Sequence, residues 1–556
     1  MNLTRLFSVI AVGALVTGCE SGDINIAPVN NTDNSIGDGN IIGGGGTSTN
    51  CASYTKSGAT ISGTEDGAGN CVYTSAFVGP QNNLETDLFL RALPNGGAHI
   101  FEASLFVGKS YRTIADANAD GIFQGGDGPT LTIEAGTTLA FQTSKDFMII
   151  NRGSRILADG RADAPITFTS VSDLNGTVGP EDVQQWGGIV INGFGVTNKC
   201  GYTGTRGVDL ALTGDCSLPA EGAAGDDESF YGGDNDDDGS GILRYVVVKH
   251  TGAEVANGDE LNGISFGAVG RRTTVENLQT YSTYDDGIEM FGGAVNFTNF
   301  VGLYVRDDSI DIDEGWQGTI TNALVIQGAG EGNHCIEADG IGSYNETEVA
   351  RNADLIARGL NSAPTINNLT CIISANIGGT HGEGAGWRFR EGIFPVVNDS
   401  IVVSSFAAND TTDPDDNYCL RIDNPETVQG ALDGDLALNS VVFSCQENSK
   451  GNPVGAFANE QEWAESLNSQ FATVADGAAK DPTAANDADL QILEGAQPIY
   501  SIAWATSLID GAAPLASTTP TDAGTYLGGI VTANDWIDGW AYGIQDTNRG
   551  QPLWFE

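Results

Sequence analysis

Between residues 277 and 315 the chain repeats itself. Setting Asn277-Leu278 over Asn299-Phe300 brings Asp285 onto Asp307, Ile288 onto Ile310 and Gly293 onto Gly315, each at a separation of 22 residues. Asn322 follows Asn299 at 23. So short a unit, made of β-rich runs separated by Gly, Asp and Asn, cannot bury its apolar face alone and has to stack on its neighbours. Leucine-rich repeats share the length, but their leucine consensus is absent and nothing helical lies between the strands. The expected fold class is all-β, a parallel β-helix whose coils stack about 4.8 Å apart.

The repeat also predicts a register. In Gly287-Ile288-Glu289-Met290-Phe291 the apolar residues alternate with Glu289, so a strand buries Ile288 and Met290 and turns Glu289 outward. Ile310 and Ile312 fall inside by the same rule, with Asp311 and Asp313 outside. CIEADG (335–340), GWRFREG (386–392) and CLRIDN (419–424) continue the pattern. Stacked, one outward column reads Ser265, Glu289, Asp311, Glu337, Arg388, Arg421, and the other Gly267, Phe291, Asp313, Asp339, Arg390, Asp423. Like charges about 5 Å apart repel by roughly 0.8 kcal/mol in water and roughly 3 kcal/mol at an effective dielectric of 20. A solvated column tolerates that; a recessed one needs protons, a cation or a ligand. Glu289, Asp311, Asp313, Glu337, Asp339, Arg388, Arg390 and Arg421 are therefore the candidate ligand-binding residues, with ion pairing on a solvated face as the plain alternative.

Composition narrows the partners. The 24 Lys and Arg against 73 Asp and Glu leave a net charge of −49, which repels a phosphate backbone and excludes nucleic acid. Glycine at 76 residues and methionine at 3 suit a turn-rich β protein. At the N-terminus, Arg5, an apolar run from Leu6 to Val16 and Val16-Thr17-Gly18-Cys19 resemble a bacterial lipoprotein signal peptide (1–18) with its lipobox. By that resemblance Cys19 is the lipidated first residue, and Glu20 is not the Asp of inner-membrane retention, so an outer-membrane anchor is expected. Residues 19–50, rich in Gly, Asn, Ser and Asp, read as a flexible tether. Eight further cysteines in an exported chain favour disulfides. Nearest-neighbour pairing closes short loops and predicts Cys51 with Cys71, Cys200 with Cys216, Cys335 with Cys371, and Cys419 with Cys445.

WGGIVINGFG (186–195), SGILRYVVVKHTG (240–252), LNGISFGAVG (261–270), YDDGIEMFGG (284–293) and GTYLGGIVTANDWIDGWAYG (524–543) resemble a family of right-handed, pectate-lyase-like β-helix lipoproteins of Gram-negative bacteria. The resemblance implies the fold and export but no reaction. Polysaccharide lyases of this fold pair Ca²⁺ carboxylates with a basic residue, so Asp311, Asp313 and Asp339 with Arg388 or Arg390 are the corresponding catalytic candidates.

The expected organisation is an N-terminal cap with first strands over 51–129, the β-helix over 130–450 and an irregular cap over 451–556 that holds one helical pattern (460–471) and an aromatic end, Trp536 to Trp554, closing the open end of the solenoid. Asn277, Asn299, Asn322, Asn368 and Asn439, with Asp399 between the last two, are expected to form a structural turn ladder. Asp116, Asn118, Asp120 and Asp127 match the spacing of a calcium loop, and Asp234, Asp236 and Asp238 match it less fully. Four histidines, His99, His250, His334 and His381, show no zinc spacing. The leading functional expectation is a lipid-anchored protein binding an extracellular ligand, a polysaccharide or an outer-membrane protein, with structural Ca²⁺. A carbohydrate-active enzyme and a structural or adhesive surface protein are the alternatives.

Overall fold

The computed structural model describes residues 50–222, 228–256, 259–374, 378–404, 417–445, 447–471, 502–503, 526–530 and 536–554. Cys19, its lipobox and the tether up to residue 49 lie outside the described residues.

The repeat folds as its period requires. Ten short strands stack in chain order into one parallel sheet: β1 (Leu105–Val107), β2 (Met148–Ile150), β3 (Ile189–Asn192), β4 (Ile264–Gly267), β5 (Ile288–Phe291), β6 (Ile310–Asp313), β7 (His334–Asp339), β8 (Ala385–Arg390), β9 (Tyr418–Ile422) and β10 (Glu447–Ser449). A larger sheet supplies the other walls of each coil. Its longest strands, Gly241–Lys249, Thr274–Tyr281, Asn296–Leu303, Thr319–Ile326 and Thr365–Ile373, also pair in parallel and in chain order. Parallel stacking already joins Cys71–Tyr73 to Ala98–Phe101, within the segment expected to hold the first strands, and still joins Ala437–Ser444 to Asn468–Phe471, within the segment expected as the C-terminal cap.

Each long strand must bend to go round the coil, and one residue does so with a left-handed backbone. Tyr245, Asn277, Asn299, Asn322, Asn368, Asp399 and Ser440 occupy equivalent positions at φ between 49° and 63°. Asparagine suits such positions because its short amide tolerates that conformation and can bond locally. Here the amides also bond along the stack, Asn299 to Asn277 at 3.0 Å and Asn322 to Asn299 at 3.1 Å. Asn439 departs from the expected ladder. Ser440 takes the bend, and Asn439 donates to Asn398 in the neighbouring column at 3.0 Å.

Inside, two columns of apolar side chains run beneath the first sheet: Ile264, Ile288, Ile310, Ile336, Trp387, Leu420 and Phe266, Met290, Ile312, Ala338, Phe389, Ile422, none more than 1% exposed. Burying a side chain the size of isoleucine or methionine contributes about 1.5–3 kcal/mol, so these columns fix the register. All four disulfides join the expected neighbours, at sequence separations from 16 to 36. Loops of that length stabilise by about 3 kcal/mol each, chiefly by restricting the unfolded chain. Cys335–Cys371 and Cys419–Cys445 lie in the core and tie the first sheet to the second.

A helix, α1 (Glu460–Ser466), puts Trp463 into the main core, and the second half of the expected helical stretch is the strand Asn468–Phe471, whose Phe471 ring stacks on Phe443 at 4.6 Å. The aromatic end does not close the solenoid. Ile537, Trp540, Ala541, Ile544 and Leu553 cover the lateral face of the long strands, packing with Val301, Leu303, Leu324 and Ile326. Gln279 locks this cover by exchanging two 2.7 Å bonds with the backbone of Tyr542.

Candidate functional site

The first sheet pairs Ser265, Glu289, Asp311, Glu337, Arg388 and Arg421 in one outward row, residue for residue as the repeat predicts. Toward the N-terminal coils the same row continues as Val190, Ile149 and Phe106. That apolar end is roofed by the segment between β3 and Gly241–Lys249, where Ala220 and Tyr231 pack with Phe106, Ile149 and Val190. Buried Arg152 anchors the roof with 2.8 Å bonds to the carbonyls of Cys216 and Gly232. Glu314, wholly buried, ties it to β6 by accepting from Thr197 Oγ1 at 2.7 Å and Tyr231 OH at 2.9 Å, while Lys199 Nζ meets its other oxygen at 2.5 Å. Glu314, Lys199 and Tyr231 carry no repeat spacing, so nothing in the sequence singles them out.

The charged columns are recessed, not solvated. Ser265 and Glu289 are buried, and Asp311, Asp313, Glu337, Asp339, Arg388, Arg390 and Arg421 are half-buried.

The two acidic pairs divide their work. Asn262, Asp286, Asp308 and His334 are one column, in which each side-chain oxygen accepts the backbone N–H of the next coil: Asn262 from Asp286 at 3.2 Å, Asp286 from Asp308 at 3.0 Å and Asp308 from His334 at 2.8 Å. The second aspartate of each pair therefore builds. Gly287 shows how closely the coils meet there, since a Cβ on it would lie 2.5 Å from the Ser309 carbonyl oxygen. The first aspartates, Asp285 and Asp307, face His381, whose Nδ1 lies 3.0 Å from Asp307 Oδ2.

In the acidic half, oxygens of Asp286, Glu289 and Asp311 lie within 4.8 Å of one another. Glu289 accepts from Asn262 Nδ2 at 2.5 Å, and Asp313 accepts from the N–H of Glu314 at 2.6 Å. Asp311 has no hydrogen bond or ion pair among the described residues. Burial first, and then neighbouring carboxylates, push Asp286, Glu289, Asp308, Asp311 and Asp313 well above the ordinary carboxylate range. Burial draws His334 down to about 4, which leaves a neutral imidazole between Asp308 Oδ1 at 2.8 Å and the Tyr418 hydroxyl at 2.9 Å.

The other half of the groove is already balanced. Arg388 reaches Glu337 at 2.9 Å and Asp423 at 3.2 Å; Arg390 reaches Glu337 at 2.7 Å and also bonds Asp339; Arg421 reaches Asp423 at 2.7 Å. The arginines expected to meet a ligand at the basic end are thus engaged by carboxylates of their own sheet.

The expected calcium loops do not converge. Thr113 caps the short helix Ile114–Ala119 by accepting from the Asp116 N–H, and its hydroxyl lies 2.8 Å from Asp116 Oδ2; Asn118 is exposed, Asp120 pairs with Lys109 at 2.9 Å, and Asp127 accepts from the N–H groups of Phe123 and Gln124 at 3.0 and 3.1 Å. In the second loop Asp236 pairs with Arg206 at 2.7 Å and Asp238 accepts from the N–H of Gly125 at 2.5 Å. Local hydrogen bonds and ion pairs engage one carboxylate oxygen each of Asp116, Asp120 and Asp127.

The profile of the family described as "Pectate-lyase like beta helix domain" matches residues 115–491. No curated protein and no solved structure matches the chain. With parallel coils stacked in chain order and a family profile covering most of its length, the chain belongs to the pectate-lyase-like β-helix family.

Proposed function

We propose that the protein is an exported, lipid-anchored β-helix that binds an extended extracellular ligand, a polysaccharide by class, in the groove over β4–β9, with Ca²⁺ held by its acidic half. The observation that carries this reading is Asp311, a recessed carboxylate between Glu289 and Glu337 with no partner among the described residues. Oxygen donors from Asp286, Glu289 and Asp311 suit a hard cation, and a calcium ion there would keep coordination positions for ligand hydroxyls or carboxylates. Such an ion also answers the bulk charge of −49, which by itself disfavours an acidic polysaccharide.

Binding is favoured over cleavage by the state of the arginines. An arginine that takes a substrate proton has first to lose its own. Burial lowers Arg390, but its bond to Asp339 and the charges of Asp339 and Glu337 outweigh that and raise it on balance.

A polysaccharide array separates the readings. Retention that needs Ca²⁺, leaves no new chain ends and is lost in Asp311→Asn/Asp313→Asn is the expected result; unsaturated products or new reducing ends mean catalysis, and equal retention by the double variant removes the site. The anchor rests on Val16-Thr17-Gly18-Cys19. Cys19→Ser releases the protein from the membrane fraction if Cys19 is lipidated, and unchanged fractionation contradicts that.

A further inference from the structure

The groove has a second cluster at its margin with different donor chemistry. Asp285 and Asp307 hold the same turn position on successive coils, and the segment 378–384, which belongs to a later coil, folds back to bring His381 onto them. One ligand atom from each of the three lies within 4.8 Å of the other two. Asp307 and His381 are already in contact at 3.0 Å, and both remain partly accessible, with 22% and 17% of their side chains exposed.

The surrounding contacts hold this set in place. Asn333 Nδ2 donates to Asp307 Oδ1 at 3.0 Å and to the His381 carbonyl at 3.1 Å, so one amide positions both partners. The Tyr284 ring packs edge-on against the imidazole at 4.6 Å. On the other side of His381 the segment is clamped by Glu331, which accepts from the Thr380 N–H at 2.7 Å and from its hydroxyl at 3.0 Å. Oriented partners of this kind are what a metal-binding histidine and carboxylate need around them.

We propose that Asp285, Asp307 and His381 form a site for a borderline divalent ion of the Zn²⁺ class, adjoining the all-oxygen set at Asp286, Glu289 and Asp311 through Asp307 and Asp286 but sharing no donor residue with it. An imidazole nitrogen with two carboxylate oxygens suits zinc better than calcium, which takes oxygen ligands only. Three protein donors leave a position on the ion for water or for a ligand oxygen at the edge of the groove. The sequence hides this set because its members are joined by stacking of coils, not by spacing along the chain.

The test is calorimetric titration of the full chain with Zn²⁺ in buffer freed of transition metals and containing excess Ca²⁺. The expected result is one equivalent of Zn²⁺ bound by the wild type, with affinity lower by at least about tenfold in His381→Ala and unchanged in Asp311→Asn. Should His381→Ala fail to fold by circular dichroism, Asp285→Asn serves as the second variant and carries the same expected loss. Absence of Zn²⁺ binding, or equal affinity in the wild type and the folded variant, overturns the site. Loss in Asp311→Asn alone overturns it as well and assigns the zinc to the acidic groove. Ca²⁺ titration of His381→Ala keeps the two readings apart, since the calcium proposal requires it to match the wild type.

Discussion

Strands β5 and β6 carry Glu289 and Asp311 at the outward position where β8 and β9 carry Arg388 and Arg421, and the two halves of one sheet meet the same problem in different ways. Both recess charged groups. In the later coils every carboxylate of the two columns has an arginine within 3.2 Å, and Arg388 and Arg390 share Glu337. In the earlier coils the carboxylates bond to Asn262, Glu221, His334 and backbone N–H groups, with no arginine among these partners, and Asp311 has no hydrogen bond or ion pair among the described residues. The difference teaches that a charged column in a β-helix is not one feature. Where the sheet supplies ion-pair partners the column is structure, and where it does not the fold keeps recessed carboxylates held above their ordinary range.

The largest effect expected from this contrast is a dependence on pH. Asp286, Glu289, Asp308, Asp311 and Asp313 are raised by burial and by one another, so the folded chain holds protons that the unfolded chain releases above about pH 4. A carboxylate raised in the fold stabilises fully below its unfolded pKa, and that contribution is lost as pH rises toward the folded value. Each such group changes stability by up to about 1.4 kcal/mol per pH unit across that window. The melting temperature of calcium-free protein therefore falls between pH 5 and pH 8. Calcium reverses the trend because it needs the ionised carboxylates, and a calcium-free melting temperature that rises over this range removes the acidic half from the account.

Removing counter-charge from the balanced half comes next. Arg390→Met leaves Glu337 and Asp339 without one of their guanidinium partners and lowers stability by about 2–4 kcal/mol, toward the lower end for buried pairs because its side chain keeps 25% of its exposure. Urea unfolding measures it, and a midpoint unchanged from the wild type shows that the pairs contribute nothing. The smallest effect has the opposite sign. Asp311→Asn relieves repulsion from its neighbours and stabilises calcium-free protein at pH 7.5 by about 1 kcal/mol. Destabilisation in the same assay means that Asp311 has a structural partner.

Much of this was legible before any coordinates. The 22-residue period contains the stacking distance, and the alternation in Ile310-Asp311-Ile312-Asp313 contains the register, because a pleated strand offers only two faces. Cysteine order was enough for the disulfides because each pair closes a short loop. What stayed hidden depends on contacts between coils or with the segments outside them. The roof over β1–β3 hides the apolar end of the column, and although ion pairing is legible as an alternative, which carboxylate each arginine meets depends on rotamers that column order does not specify. His334 and His381 reach the aspartates only through stacking, and the aromatic end covers a lateral face because the outward residues of the long strands, Val301, Leu303 and Leu324 among them, are as apolar as a core. At Asp116–Asp127 the residues of the calcium-loop spacing are instead met, through one oxygen of each aspartate, by Thr113, Lys109 and the Phe123 N–H.

On the proposed reading the acidic half takes a divalent cation and the balanced half does not. Calorimetric titration of Ca²⁺ into wild type, Asp311→Asn and Asp423→Asn at pH 7.5 tests it directly. The account predicts saturable binding by the wild type, affinity lower by at least about tenfold in Asp311→Asn and no change in Asp423→Asn. No heat of binding in the wild type, or equal affinity in all three proteins, contradicts it.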